Sequence, residues 1–274
     1  MPEPEYVLYC DLDGIFVGLE EVMADGLERD YADRFDDLRA LLANGAPVHR
    51  LHACVMLAGW GVREGFLTAA EWARAPEDVP WAGAPVSLDR MFGVDDAFAR
   101  LAYGLDTARS VELAPVRSRL RVSATRALLS AYHRVFFDRS MALLLELDRQ
   151  LAEATQQDID RAVVRAIEAA RSPQSFDMAM QAAVLLGPLA ALDDDRAAGL
   201  SDELARVARD RPRALRELAY ALGSGTGPAT LFRLKELAGS SEPAVAREAR
   251  EWLERRGAHP PAHVRPDLRC GPCG

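Results

Sequence analysis

Residues 35–60 read FDDLRALLANGAPVHRLHACVMLAGW. Phe35, Leu38, Leu41 and Leu42 fall three and four positions apart, which places them on one face of a helix. The amphipathic run extends back to Tyr31 and stops at Asn44-Gly45, residue types that accept the backbone needed to end a helix. Pro47 then opens a second run, at a position where proline loses no hydrogen bond and its fixed φ suits the helix. This run reaches Trp60. The stretch is predicted as a helix, a short turn and a second helix with small residues on its inner side.

The same design returns near the C-terminus. Leu231 to Ala238 is amphipathic, Gly239-Ser240-Ser241 breaks it, and Pro243 opens a helix running to Arg256. A shift of 196 positions lays Leu38 on Leu234, Leu41 on Leu237, Pro47 on Pro243, Ala53 on Ala249 and Leu57 on Leu253. Both units, at about 35–60 and 228–256, resemble the helical hairpins of HEAT-repeat proteins. The resemblance implies an all-α fold, a short right-handed solenoid of about five or six antiparallel pairs. In such a stack each pair carries an apolar face that only a neighbour covers. Between the two units, periodicity predicts helices over 95–108, 115–137, 139–154, 157–171, 175–191, 197–209 and 212–223. Residues 1–257 are read as one helical repeat domain and 258–274 as a Pro/Cys/His tail.

Two segments interrupt this scheme. Residues 74–93 hold three prolines and Trp81, and a loop of that length is more than a connector. Trp81 either stands exposed as an interface anchor or folds back onto the helices; the partner-binding reading takes the first. Residues 7–27 offer Val7-Leu8-Tyr9-Cys10 before Asp11-Leu12-Asp13-Gly14, which resembles the first motif of haloacid-dehalogenase phosphatases. Ile15 replaces that family's usual threonine, and the chain's single lysine, Lys235, lies far downstream. Leu8, Leu12, Ile15, Leu19 and Val22 instead keep helical spacing, so a helix is expected here.

Composition narrows the function. Of 274 residues, 49% are hydrophobic and only 7% aromatic, so the core is expected to be mainly Ala, Leu and Val. The net charge is −9. Residues 1–110 hold 20 acidic and 9 basic side chains, a balance of −11, so the acidity belongs to the N-terminal part. Uniform binding to nucleic acid or to an anionic membrane is disfavoured. Met1–Glu5 has no basic n-region, no stretch approaches about 18 apolar residues, and four cysteines are too few for a disulfide scaffold. A cytoplasmic protein is expected.

Three constellations carry candidate chemistry. His259, His263, Cys270 and Cys273 have ligand types and spacings that would encircle one tetrahedral zinc, and Cys270-Gly271-Pro272-Cys273 matches the thioredoxin dithiol motif without its strand–helix context. Arg117 and Arg121, at i and i+4 on a helix, would form an anion-gripping stripe of the kind seen in HEAT-like DNA glycosylases. Gly223-Ser224-Gly225-Thr226-Gly227-Pro228 is glycine-rich but lacks the P-loop lysine and reads as an inter-helix turn. His49, His52 and His133 are not followed by glutamate, unlike the iron-binding His-Glu pairs of HEAT-type hydroxylases.

The expectation is a non-catalytic interaction module with no cofactor apart from zinc in the tail. Asp33, Asp36 and Asp37 would steer a basic protein partner that Trp81 anchors. Nucleic-acid binding through the arginine stripe and a metal or redox role for the tail are the alternatives; no membrane contact is expected.

Overall fold

Nine helix starts among the described residues are set by two residue types. Proline opens α1 (Pro4–Tyr9), α4 (Pro47–Gly59), α7 (Pro115–Ala131), α13 (Pro212–Gly223), α14 (Pro228–Ala238) and α15 (Pro243–Ala258). An aspartate side chain caps α9 (Arg149–Ala154), α11 (Met178–Leu192) and α12 (Asp194–Val207): Asp148, Asp177 and Asp193 accept from the backbone N–H groups of Leu151, Met180 and Arg196. The remaining helices are α2 (Leu19–Glu28), α3 (Phe35–Asn44), α5 (Arg63–Arg74), α6 (Ala97–Thr107), α8 (Ser140–Leu147) and α10 (Gln156–Ala169). These spans come from a computed structural model that describes residues 3–89 and 93–258. Among the described residues there are fifteen α-helices, two 3-10 turns and no strand longer than an isolated bridge. The fold is all-α.

The helices pack in two files. In one, α4 lies on α6, α6 on α8, α8 on α11, α11 on α13 and α13 on α15. In the other, α5 contacts α7, α7 contacts α10, α10 contacts α12 and α12 contacts α14. Cross-contacts such as α4 with α5, α11 with α12 and α14 with α15 join the files. One apolar cluster runs through them from Val7 to Ala249. Two glycines permit the closest crossings: a Cβ on Gly65 would fall 2.2 Å from the backbone nitrogen of Ala58, and one on Gly104 would fall 2.7 Å from the carbonyl oxygen of Val55.

The N-terminal segment departs from the expected helix over 7–27. α1 ends at Tyr9 and α2 begins at Leu19; between them the chain doubles back, with Cys10 bridged to Phe16. Gly14 (φ 79°) and Gly18 (φ 108°) hold a backbone that a helix cannot use. The Asp11 side chain accepts from the N–H groups of Asp13 and Ile15, closing the turn. Ile15 and Phe16, 60% and 69% exposed, therefore face solvent and not a helix interface. Arg34 fixes this segment from below. Its buried guanidinium donates to the carbonyls of Val7, Cys10 and Asp11, groups left open where α1 ends. It also packs against the rings of Tyr6 and Tyr31. Asp11 and Asp13 thus belong to a tight turn, with Arg29 paired to Asp13 at 3.3 Å.

Candidate binding face and adjoining cleft

A row of polar side chains crosses one file of helices. At its N-terminal end the Tyr9 hydroxyl lies 2.8 Å from His52 Nδ1 on α4. Burial, then the positive charge of Arg100 and the neighbouring His49, lower the His52 pKa to about 4, so the ring is neutral near pH 7. Arg100, on α6, donates to the Ser87 hydroxyl at 2.5 Å and lies 3.5 Å from Asp96. Further along, Asp138 stands before α8 with φ +44°, a backbone that aspartate tolerates better than most side chains. Its carboxylate accepts from the backbone and hydroxyl of Ser140 in a local turn at the entry to α8. Arg139 follows, 2.7 Å from Glu217 on α13 and stacked 4.4 Å from the Tyr220 ring. Tyr220 in turn meets Trp252 edge to face.

Asp95, Asp138 and Glu146 form no ion pair with an arginine or lysine among the described residues. All three are pushed up from the usual carboxylate range, mainly by burial. Nearby Asp89 and Asp96 raise Asp138 further, whereas Arg139 draws Glu146 partly back. The Glu146 carboxylate lies so close over Gly187 of α11 that a Cβ there would sit 3.1 Å from it.

Asp95 turns to the other side of the α6 start and lines a cleft of about 420 Å³. Trp81, Phe98, Phe136 and Phe176 share that lining. Trp81 is 3% exposed and packs edge to face on Trp72, ring centres 4.9 Å apart. The exposed-anchor placement of Trp81 is thereby corrected. The indole has a helix partner behind it, nine residues back in sequence, and only its cleft edge remains for a ligand.

The other expected site residues are dispersed. Asp33 and Asp36 are exposed and Asp37 half-buried at the start of α3; Asp36 pairs with Arg39 at 2.8 Å. No described hydrogen bond or ion pair ties them to the row above. The arginine stripe does not form as expected. Arg121 is buried, with Nε 2.8 Å from the Leu105 carbonyl and Nη1 2.5 Å from Asp148. A guanidinium spent on that pair is not free for phosphate; against the opposing effect of burial, the Leu151 N–H and then Arg121 hold Asp148 below the usual carboxylate range. Arg117 is exposed and reaches the Gly61 carbonyl at 3.3 Å.

The glycine-rich turn before α14 is a site already filled from within the chain. Asp194 accepts from the N–H groups of Gly227, Ala229 and Thr230, and from the Thr230 hydroxyl. A carboxylate thus occupies the place an anion would take at this helix start. His259, His263, Cys270 and Cys273 lie outside the described residues, and among the described residues no group of three or more His, Cys, Asp or Glu side chains is arranged to hold a metal ion.

Composition pointed to acidity in the N-terminal part but not to these carboxyls. Asp95-Asp96 carries a local signal, paired aspartates directly before a helix. Asp138 and Glu146 are brought to the row by tertiary packing. No described helix is long and apolar enough to cross a membrane. No family model, curated protein or solved structure matches the chain.

Proposed function

We propose that the chain is a non-catalytic protein-binding module whose helical pairs stack as a short HEAT-like solenoid, and that its acidic face receives a basic segment of a partner protein. One observation carries the reading: the half-buried Asp95 and Asp138 and the more exposed Glu146 have raised pKa values and no arginine or lysine ion pair among the described residues. Burying carboxyl groups without counter-charges costs stability, and a cationic partner offsets that cost when it binds. The two files of helices supply an extended support for such a face. The net charge of −9 adds long-range attraction for a basic partner.

The test is capture from the native lysate on immobilised protein, in nuclease-treated and untreated arms, alongside the Asp138→Asn/Glu146→Gln variant. Both changes keep side-chain shape and the Ser140 contacts. A partner that survives nuclease, elutes with salt and is retained less by the variant supports the reading. Equal retention by the variant refutes it, and loss on nuclease treatment replaces it with a nucleic-acid partner.

A further inference from the structure

We propose that the cleft lined by Trp81, Phe98, Phe136, Phe176 and Asp95 is a receptor for one cationic side chain, a guanidinium or an alkylammonium group. The inference deepens the partner-binding reading by naming the group inserted, and it rests on that reading for the source of the cation.

The cleft, about 420 Å³, is the size of a small-ligand pocket. Its aromatic content is dense for a chain that is only 7% aromatic. Phe136 and Phe176 meet edge to face with centres 5.5 Å apart, and Trp81 lies 6.2 Å from Phe98. These rings wall the cleft and exclude water, which strengthens the attraction between a carboxylate and a cation held there. Asp95 sets the sign of the ligand. Its carboxylate accepts from the Ala97 N–H at 3.0 Å and from the Trp81 indole. A carboxylate offers about four lone-pair directions, so positions remain for a donor from outside. No arginine or lysine among the described residues pairs with it. Arg134 also lines the cleft, but Glu77 holds it at 2.5 Å, and both are partly exposed. Among the described residues that line the cleft, the charge without an ion-pair partner is that of Asp95. A neutral apolar group would leave this carboxylate covered and unpaired; an anion would meet it directly.

The probes are N-acetyl-arginine methylamide, N-acetyl-lysine methylamide and the neutral isostere N-acetyl-citrulline methylamide, titrated into full-length protein and followed by the Trp indole and backbone amide NMR signals. The expected result is saturable shifts at Trp81 and Ala97 with one or both cationic probes, and none with citrulline. The arginine and lysine arms decide between guanidinium and ammonium. Asp95→Asn keeps the acceptor for Ala97 and is expected to weaken the cationic probe at least tenfold. Glu77→Gln frees Arg134 to compete for Asp95 and is expected to weaken it as well. Citrulline binding as tightly as arginine, shifts away from Trp81, or an Asp95→Asn variant that binds normally would each overturn the proposal, as would no shift with any probe at tens of millimolar. Failure of the lysate capture with intact probe binding removes the partner reading and leaves the cleft. Capture without probe binding does the reverse.

Discussion

Acidification should destabilise this protein through His52, by an amount the structure sets. A histidine in the unfolded chain titrates near its ordinary value of about 6.5, whereas in the fold His52 is lowered to about 4. Between those values the unfolded chain binds a proton that the folded one refuses. The stability contribution is therefore complete above pH 6.5 and is lost as the pH falls towards 4. From the two pKa values, the loss between pH 7 and 5 is about 2 kcal/mol and between pH 7 and 4 about 3 kcal/mol. The geometry gives the reason: with Nδ1 unprotonated, the ring accepts the Tyr9 hydroxyl at 2.8 Å, and protonation would remove that acceptor while placing a second positive charge beside Arg100. The assay is urea denaturation at pH 7, 5 and 4 for wild type and His52→Gln, whose amide oxygen can still accept from Tyr9. Asp95, Asp138 and Glu146 have raised pKa values and act in the opposite direction, gaining stability as the pH falls. They are common to both proteins and cancel in the difference. The variant should lose less stability than wild type by about 2 kcal/mol at pH 5. Parallel pH profiles for the two proteins would refute the argument.

Three further outcomes follow from contacts elsewhere. Gly65→Ala puts a Cβ against the α4 backbone, which cannot rotate away, so a loss of about 3 kcal/mol is expected in the same denaturation assay. Arg34→Met removes the donor to the carbonyls of Val7, Cys10 and Asp11; it should cost about 3 kcal/mol and speed amide exchange across residues 10–18, and unchanged exchange there would sink the assignment. Asp194→Ala should cost roughly 1–2 kcal/mol and open the α14 start to anions. Sulfate should then raise the melting temperature of the variant more than that of wild type, and an equal response would show that the carboxylate is not what fills the site.

The helices were legible wherever a local signal marks their ends. Pro47, Pro115, Pro212, Pro228 and Pro243 each open a helix, and the predicted 212–223 coincides with α13. The break between Tyr9 and Leu19 was not legible from apolar spacing, because Leu8, Leu12, Ile15 and Leu19 fit a helix whether or not Gly14 and Gly18 turn the chain. Long-range partners decide the remaining differences. Trp81 is buried because Trp72 and Phe98 receive it, and Arg121 is consumed by Asp148 and the Leu105 carbonyl. A face drawn on one helix contains none of these groups. The acidic groups come from the segments before α6 and α8 and from α8 and α13, and no single window of sequence holds them.

The succession of packing contacts also bears on how the chain is made. Each substantial helix–helix contact joins helices no more than three places apart, as in α1 with α4, α7 with α10 and α8 with α11. A chain built this way need not wait for its far end before it begins to bury apolar surface. As residues leave the ribosome, each new helix finds those packing neighbours that precede it no more than three helices back. Synthesis order and packing order then coincide, and a stalled chain carries a finished N-terminal part with one unfinished edge.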